Sequence, residues 1–183
     1  MYDIKDLVWE EHKNAERQEF VKIMMSGKIH PKFFATYLWN LHTRYDLLEA
    51  MCRVHGLFDD FPEVQRYKAI RDDFNHLWQE ADPPPTLPST NDYVMHLKSC
   101  MNYPEKLMAH VYTLHMGDLS GGQMIKDKVP GSGKMYQFAD MNHSVEEMKE
   151  LIRRRTHDGM ADEANKAFDF AIKIFEQLND LSY

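Results

Sequence analysis

Residues 115–126 read HMGDLSGGQMIK, and three of the twelve are glycines in a stretch whose apolar residues otherwise recur at helical spacing. A helix running from Glu105 to about Lys126 carries Gly117, Gly121 and Gly122 in its interior. Each glycine costs about 1 kcal/mol relative to alanine there, so the three together cost on the order of 3 kcal/mol. Something must offset that cost. Gly117 and Gly121 are four apart and share a face, leaving a stripe without side chains where the helix can bend and a partner can approach its backbone. That partner is another helix or a flat ligand; close helix packing, a common use of small residues at this spacing, is the expectation from the glycines alone.

The pentapeptide LSGGQ inside this stretch also serves as the signature of ABC transporter ATPases, but ATP chemistry needs a phosphate-cradling loop of the form G-x-x-x-x-G-K-S/T after a strand. The nearest candidate is Gly131-Ser132-Gly133-Lys134. Met135 stands where the magnesium-binding hydroxyl should be, and no β-branched strand precedes it. The pattern therefore argues against an ATPase.

The 183 residues suggest one domain spanning 1–183, large enough to bury a core without staples. Two unclustered cysteines, Cys52 and Cys100, supply neither a disulfide framework nor a C-x-x-C metal site, which suits a reducing, intracellular setting. The opening MYDIKDLVWEEHK is charged throughout, and no run of about 18 apolar residues occurs. A soluble, cytoplasmic protein with no membrane partner is expected. The formal charge of −7 argues against nucleic acid as a partner, although Lys149, Arg153, Arg154 and Arg155 form one basic island.

Apolar spacing of three and four persists along almost the whole chain, with no convincing alternating strand, so the fold class is all-α. The spacing predicts helices over about 4–25, 31–55, 62–81, 91–100, from Pro104 through the glycine stretch, and over 161–178. Ser144-Val145-Glu146-Glu147 is a capping box for one more. ADPPPTLPST (81–90) is a loop within the domain, and VPGSGK (129–134) breaks the chain.

On the first helix, Ile4, Leu7, Val8, His12 and Ala15 lie on one face, so His12 is expected to point inward. A lone histidine on an apolar face is usually a hydrogen-bonded core residue. A neutral imidazole is also the usual haem-iron ligand in oxygen-binding sites. Facing a glycine-flattened helix, it would make a slot of a shape suited to a porphyrin.

HVYTLHMGDLSGGQ (110–123) closely resembles the distal-helix signature of heme oxygenases, and WEEHKNAE (9–16) resembles their proximal-helix segment. Both occur in the family's order, and the resemblance covers nearly the whole chain. It implies a heme-oxygenase-like helical bundle with haem between a proximal and a kinked distal helix. It further implies that His12 is the iron ligand, that Glu16 orients its ring, and that Gly117, Gly121 and Gly122 form the distal wall. Asp118 is implied to hold a water that hydrogen-bonds oxygen at the iron, with Tyr45 in the same network. Lys5, Tyr112, Lys149 and Arg153 are implied to anchor the haem propionates and so to set which meso carbon is oxidised.

The implied activity is oxygen- and reductant-dependent cleavage of haem to biliverdin, expected as the IXα isomer, with iron(II) and carbon monoxide. Haem is then both cofactor and substrate, and molecular oxygen the co-substrate. Charge alone suggests that Arg154, Arg155, Lys126 and Lys128 could dock an acidic electron donor such as ferredoxin. A downstream bilin reductase is a further expected partner.

The chain also departs from the family pattern. Leu114 stands where many members carry an arginine of the distal network, and Ala171 where some carry an asparagine. Proton delivery is therefore not expected to be wired as in animal relatives; His110 and His115 are the additional polar groups on this helix. No apolar tail follows Tyr183 and no Cys-Pro haem-regulatory pair occurs, so neither membrane anchoring nor that regulation is expected. Paired Glu-x-x-His motifs of a di-iron bundle are absent. A thiaminase-like enzyme on the same topology leaves the GDLSGG stretch and His12 unexplained. A haem carrier or sensor that binds without turnover is the alternative from another functional class.

Overall fold

The computed structural model describes residues 3–138 and 142–181; Met1, Tyr2, Ser182 and Tyr183 are among those outside the description. Within the described residues every regular element is helical. The expected first helix is three pieces: α1 (Ile4–Leu7), α2 (Trp9–Glu16) and α3 (Glu19–Ser26). The reason is a slip in register. The stripe Ile4, Val8, Ala15 would continue at Glu19, whereas the buried side chains are Phe20 and Met24. A break at Gln18, whose ψ is 140°, resets the helix by one position and turns those two inward.

Two long helices organise the rest. α4 (Pro31–Val54) packs on α5 (Tyr67–Leu77), α6 (Pro88–Ser99) and α7 (Pro104–Leu119). α10 (Ala161–Asn179) packs on α2, α3, α6 and α7, so proximal and distal segments share one support. α8 (Gly121–Ile125) continues the distal helix and α9 (Val145–Arg154) packs on α7. One apolar cluster includes Leu48, Phe58, Tyr93, Leu107 and Phe168, and a second includes Phe20, Phe34, Leu38, Ile70 and Ile174. Leu114 touches both, which gives this position an apolar task in place of the arginine.

Several helix ends differ from expectation for identifiable reasons. The helix expected over 62–81 is a 3₁₀ turn at Pro62–Val64 followed by α5, because the buried Glu49 carboxylate accepts from Arg66 N at 2.6 Å and Tyr67 N at 3.1 Å and so caps α5 from another helix. α6 starts at Pro88 rather than at residue 91, with proline in the first helical position, where its missing N–H is harmless. The capping box on α9 is present in both directions. At 131–135 the amides resembling a phosphate loop are taken: Asp73 accepts from Ser132 Oγ, Lys134 N and Met135 N at 2.9–3.0 Å. An internal carboxylate fills the place a phosphate would need. No helix of the described residues is long and apolar enough to cross a membrane.

Candidate functional site

The distal helix does not run through its glycines. α7 stops at Leu119, Ser120 adopts φ −111° and ψ −84°, and α8 restarts at Gly121. Gln123 braces the bend: its Nε2 donates to the Asp118 carbonyl at 3.2 Å and to the Tyr136 carbonyl at 2.8 Å.

The three glycines then separate. A methyl group added at Gly117 or Gly121 would meet nothing within 4 Å, whereas one at Gly122 would lie 2.5 Å from Tyr136 Cδ1. Close packing therefore explains Gly122, which is set against the Tyr136 ring rather than on an open wall. Gly117 and Gly121 front open space, as a flat ligand requires.

Asp118 points the other way, into the protein. It is buried, and Tyr45 Oη donates to its Oδ2 at 2.7 Å, so it is not a solvated surface carboxylate. Burial pushes its carboxyl up to about 7, while the His115 ring, the Tyr45 hydrogen bond and Arg66 pull it down. Burial likewise holds the Tyr45 hydroxyl well above the usual tyrosine range. Behind this pair His115 Nε2 lies 3.0 Å from Glu49 Oε1, and the His115 ring sits 5.1 Å from that of Tyr45. Arg66 is buried and donates to the carbonyls of Glu63, Val64, Gln65 and Gln137. His115 thus belongs to the polar backing of Asp118.

On α2, His12 is less inward than its spacing predicts, with a side chain 41% exposed. Its Nε2 lies 3.3 Å from Glu16 Oε1, its ring stacks on Trp9, and it meets the edge of Phe168. Nδ1 is buried and has no hydrogen-bond partner. One ring nitrogen is oriented by a carboxylate and the other is spare, which is the donor arrangement a metal-ligating imidazole needs. With the open face at Gly117 and Gly121, these residues fit a haem.

The expected propionate anchors lie on different elements. Tyr112 is buried, and its hydroxyl is pushed up by burial and by Asp3 and drawn down by Arg153, so Tyr112 and Arg153 are within electrostatic reach of one another. Lys149 pairs with Glu146 at 3.0 Å and Arg153 with Glu150 at 3.8 Å, each within α9. Lys5 is exposed on α1. Arg155 pairs with Asp60 and lies over the Phe61 ring, which leaves it less available for docking than Arg154.

The protein-family model described as Heme oxygenase matches residues 2–177. The chain belongs to the heme oxygenase family. Heme oxygenase 2 of Macaca fascicularis is 32% identical over 96% of the chain, which spans 64% of that relative's length. Heme oxygenase 2 of Synechocystis sp. is 30% identical over 93% of the chain and 79% of its own. The crystal structure of heme oxygenase-2 from Synechocystis sp., in complex with heme and NO, superposes with a TM-score of 0.86 at 26% identity, covering 97% of this chain and 84% of that one.

Against that family background, Glu49 and Arg66, which act on Asp118 electrostatically, and Tyr136, which packs on Gly122, are further candidates that local sequence patterns do not mark. None lies near the glycine stretch in sequence. Glu49 alone left a trace, as a charged residue one turn from Tyr45 amid the apolar positions of α4.

Proposed function

We propose that this chain cleaves haem to biliverdin, iron(II) and carbon monoxide, using molecular oxygen and an external reductant. The observation that carries the reading is the buried Tyr45–Asp118 hydrogen bond directly behind Gly117, a residue that fronts open space. A carrier needs the open face and the ligand but has little use for a carboxyl tuned to about 7 beside them.

His12 would hold the haem iron through a ring nitrogen, with Glu16, 3.3 Å from the ring, fixing its orientation. Bound haem supplies the oxygen-activating iron and is itself the porphyrin that is opened. The chain's part is positioning and proton management. A carboxyl near 7 is divided between its two protonation states at neutral pH, so Asp118 can both hold and release a proton through an adjacent water. Tyr45 donates to Oδ2 and thereby keeps the other oxygen, Oδ1, free for that water. Gly117 and Gly121 leave room for a ligand that side chains would obstruct.

Lys5, Tyr112, Lys149 and Arg153 would meet the two propionates and fix the in-plane rotation of the ring, giving the IXα isomer. Lys126, Lys128 and Arg154 are cations that suit an acidic donor such as ferredoxin, and the bilin product suits chromophore synthesis through a bilin reductase.

The test is the absorption spectrum of the protein with one equivalent of hemin, followed after adding ferredoxin, its reductase, NADPH and catalase in air. Loss of the Soret band with growth of a bilin band, and a single isomer on extraction, supports the enzyme. A Soret band that persists both here and with ascorbate and an iron chelator overturns it in favour of a haem carrier.

A further inference from the structure

Away from the haem face, four side chains from three helices converge on one point. His96 and Cys100 are four apart at the end of α6, His110 comes from α7, and Glu163 from the first turn of α10. One ligand atom from each lies within 4.8 Å of all the others. The individual approaches are 2.9 Å from His110 Nε2 to Glu163 Oε1, 3.4 Å from Cys100 Sγ to the same oxygen, and 3.7 Å from Cys100 Sγ to His96 Nε2. His96 Nε2 also contacts Glu163 Oε1. Cys100, His110 and Glu163 are buried and His96 is partly exposed.

The two sulfur edges, 3.4 and 3.7 Å, match those of a zinc tetrahedron, while Glu163 Oε1 sits closer to the two imidazoles, at hydrogen-bonding distance, and would move outward to admit an ion. Zinc bonds of about 2.0–2.3 Å at tetrahedral angles separate the donor atoms by roughly 3.3–3.8 Å. The donor set is two imidazoles, a thiol and a carboxylate, the mixture that selects a borderline-soft divalent ion over magnesium or calcium. Three electron-rich atoms share one carboxylate oxygen, which has two lone pairs, so positive charge must sit among them as protons or as a metal ion.

The surroundings are those of a supported site. Tyr93 Oη lies 2.7 Å from His110 Nδ1, so that Nδ1–H can donate to it and leave Nε2 as the lone-pair nitrogen facing the cluster. Lys166 Nζ lies 3.3 Å from Glu163 Oε2 and leaves Oε1 for the centre. A surface cleft lined by His96, Lys166, Asp169, Phe170 and Lys173 gives an entry path at the one exposed ligand.

We infer that His96, Cys100, His110 and Glu163 form a structural site for a zinc-type divalent ion that pins α6 and α10 to the distal helix α7. With four protein ligands it has no open position for substrate, so its contribution is to stability and to the placement of α7.

The full-length chain, stripped of metal with a chelator, is titrated with Co(II) and then Zn(II), both haem-free and loaded with hemin. We expect one Co(II) per chain with a thiolate-to-cobalt charge-transfer band, displacement of the Co(II) by Zn(II), and a metal-dependent rise in Tm. Cys100→Ala should abolish the band, while Cys52→Ala and His12→Ala keep it. His96→Ala, at the exposed ligand and so least able to disturb folding, should weaken binding by at least about ten-fold, as should Tyr93→Phe. No thiolate band in the wild-type protein overturns the site and leaves a proton-bonded cluster. A band that survives Cys100→Ala, or affinity unchanged in both His96→Ala and Glu163→Gln, overturns it by placing the ion elsewhere.

Discussion

The Tyr45 hydroxyl donates a 2.7 Å hydrogen bond to Asp118 Oδ2 where both side chains are withdrawn from water. That placement has a stability consequence. Raising a carboxyl from 3.8 to about 7 corresponds to on the order of 4 kcal/mol. Between those two values the native state keeps the proton and the unfolded state has released it, so stability falls as pH rises through the window and levels off above 7. Asp118→Asn removes the titration while still accepting from Tyr45. We expect its Tm to exceed that of the wild type by more at pH 8 than at pH 5. An equal gap at both pH values would show that Asp118 ionises without cost.

Variants of the same pair should separate binding from turnover. Asp118→Ala should still take up hemin and show His12 ligation in its spectrum, yet lose ring opening by at least about 100-fold, the usual worth of a positioned acid or base. Tyr45→Phe keeps the carboxyl but removes its donor, so its smaller loss should come with a shifted pH profile. Biliverdin formation at the normal rate by Asp118→Ala would overturn the role given to this carboxyl.

Gly117 and Gly122 make opposite predictions although they lie five residues apart. Gly117→Ala meets open space and gains helix propensity, so the haem-free protein should be unchanged or more stable by up to about 1 kcal/mol. Its added methyl group then occupies the ligand face, and the stabilisation conferred by hemin should shrink. Gly122→Ala instead drives a methyl group into the buried Tyr136 ring and should cost about 1–3 kcal/mol with or without hemin. Paired melting curves, haem-free and loaded, distinguish the two.

How far this could be read from sequence depended on the range of the contact involved. The helical class, the extent of α4 and α10 and the capping box of α9 follow from local spacing, and each is present. The break between α2 and α3 was hidden because no proline or glycine marks it; it is the slip from Ala15 to Phe20 that bends the chain. Glu49 capping α5, Asp73 filling the Gly131–Lys134 loop and the meeting of Cys100 with Glu163 join residues 17 to 63 positions apart. Only the tertiary fold brings those together. Cys100 belongs to no C-x-x-C pair in the sequence, and His96 one turn before it is the only local hint.

His12 presents a buried, unpartnered nitrogen while its other nitrogen faces Glu16. His12→Ala should fold normally, because the side chain is 41% exposed, but bind hemin with an altered axial-ligand spectrum. Glu16→Gln keeps a hydrogen-bonding partner without the charge; Glu16→Ala removes both and should weaken hemin binding by about ten-fold or more. A wild-type spectrum in His12→Ala would move the ligand to another residue.

Lys149 and Arg153 are tied to Glu146 and Glu150 on their own helix at 3.0 and 3.8 Å. Arg153 and both glutamates are exposed and Lys149 is partly buried; ion pairs at this helical spacing are worth only about 0.2–0.5 kcal/mol, so either cation is readily released to a stronger anion such as a propionate. If they hold the ring in one in-plane orientation, removing them should affect where it opens more than whether it opens. Lys149→Ala and Arg153→Ala should each weaken hemin binding by less than about ten-fold, roughly the loss of one partly exposed charge-assisted contact. The double variant should convert a single biliverdin isomer into a mixture at near-normal total yield, as chromatography of the extracted pigment would show. Added salt should weaken hemin binding by the wild type more than by the double variant, since screening acts on charges the variant has lost. A single isomer from the double variant would show that the orientation of haem is set by the shape of the pocket rather than by α9.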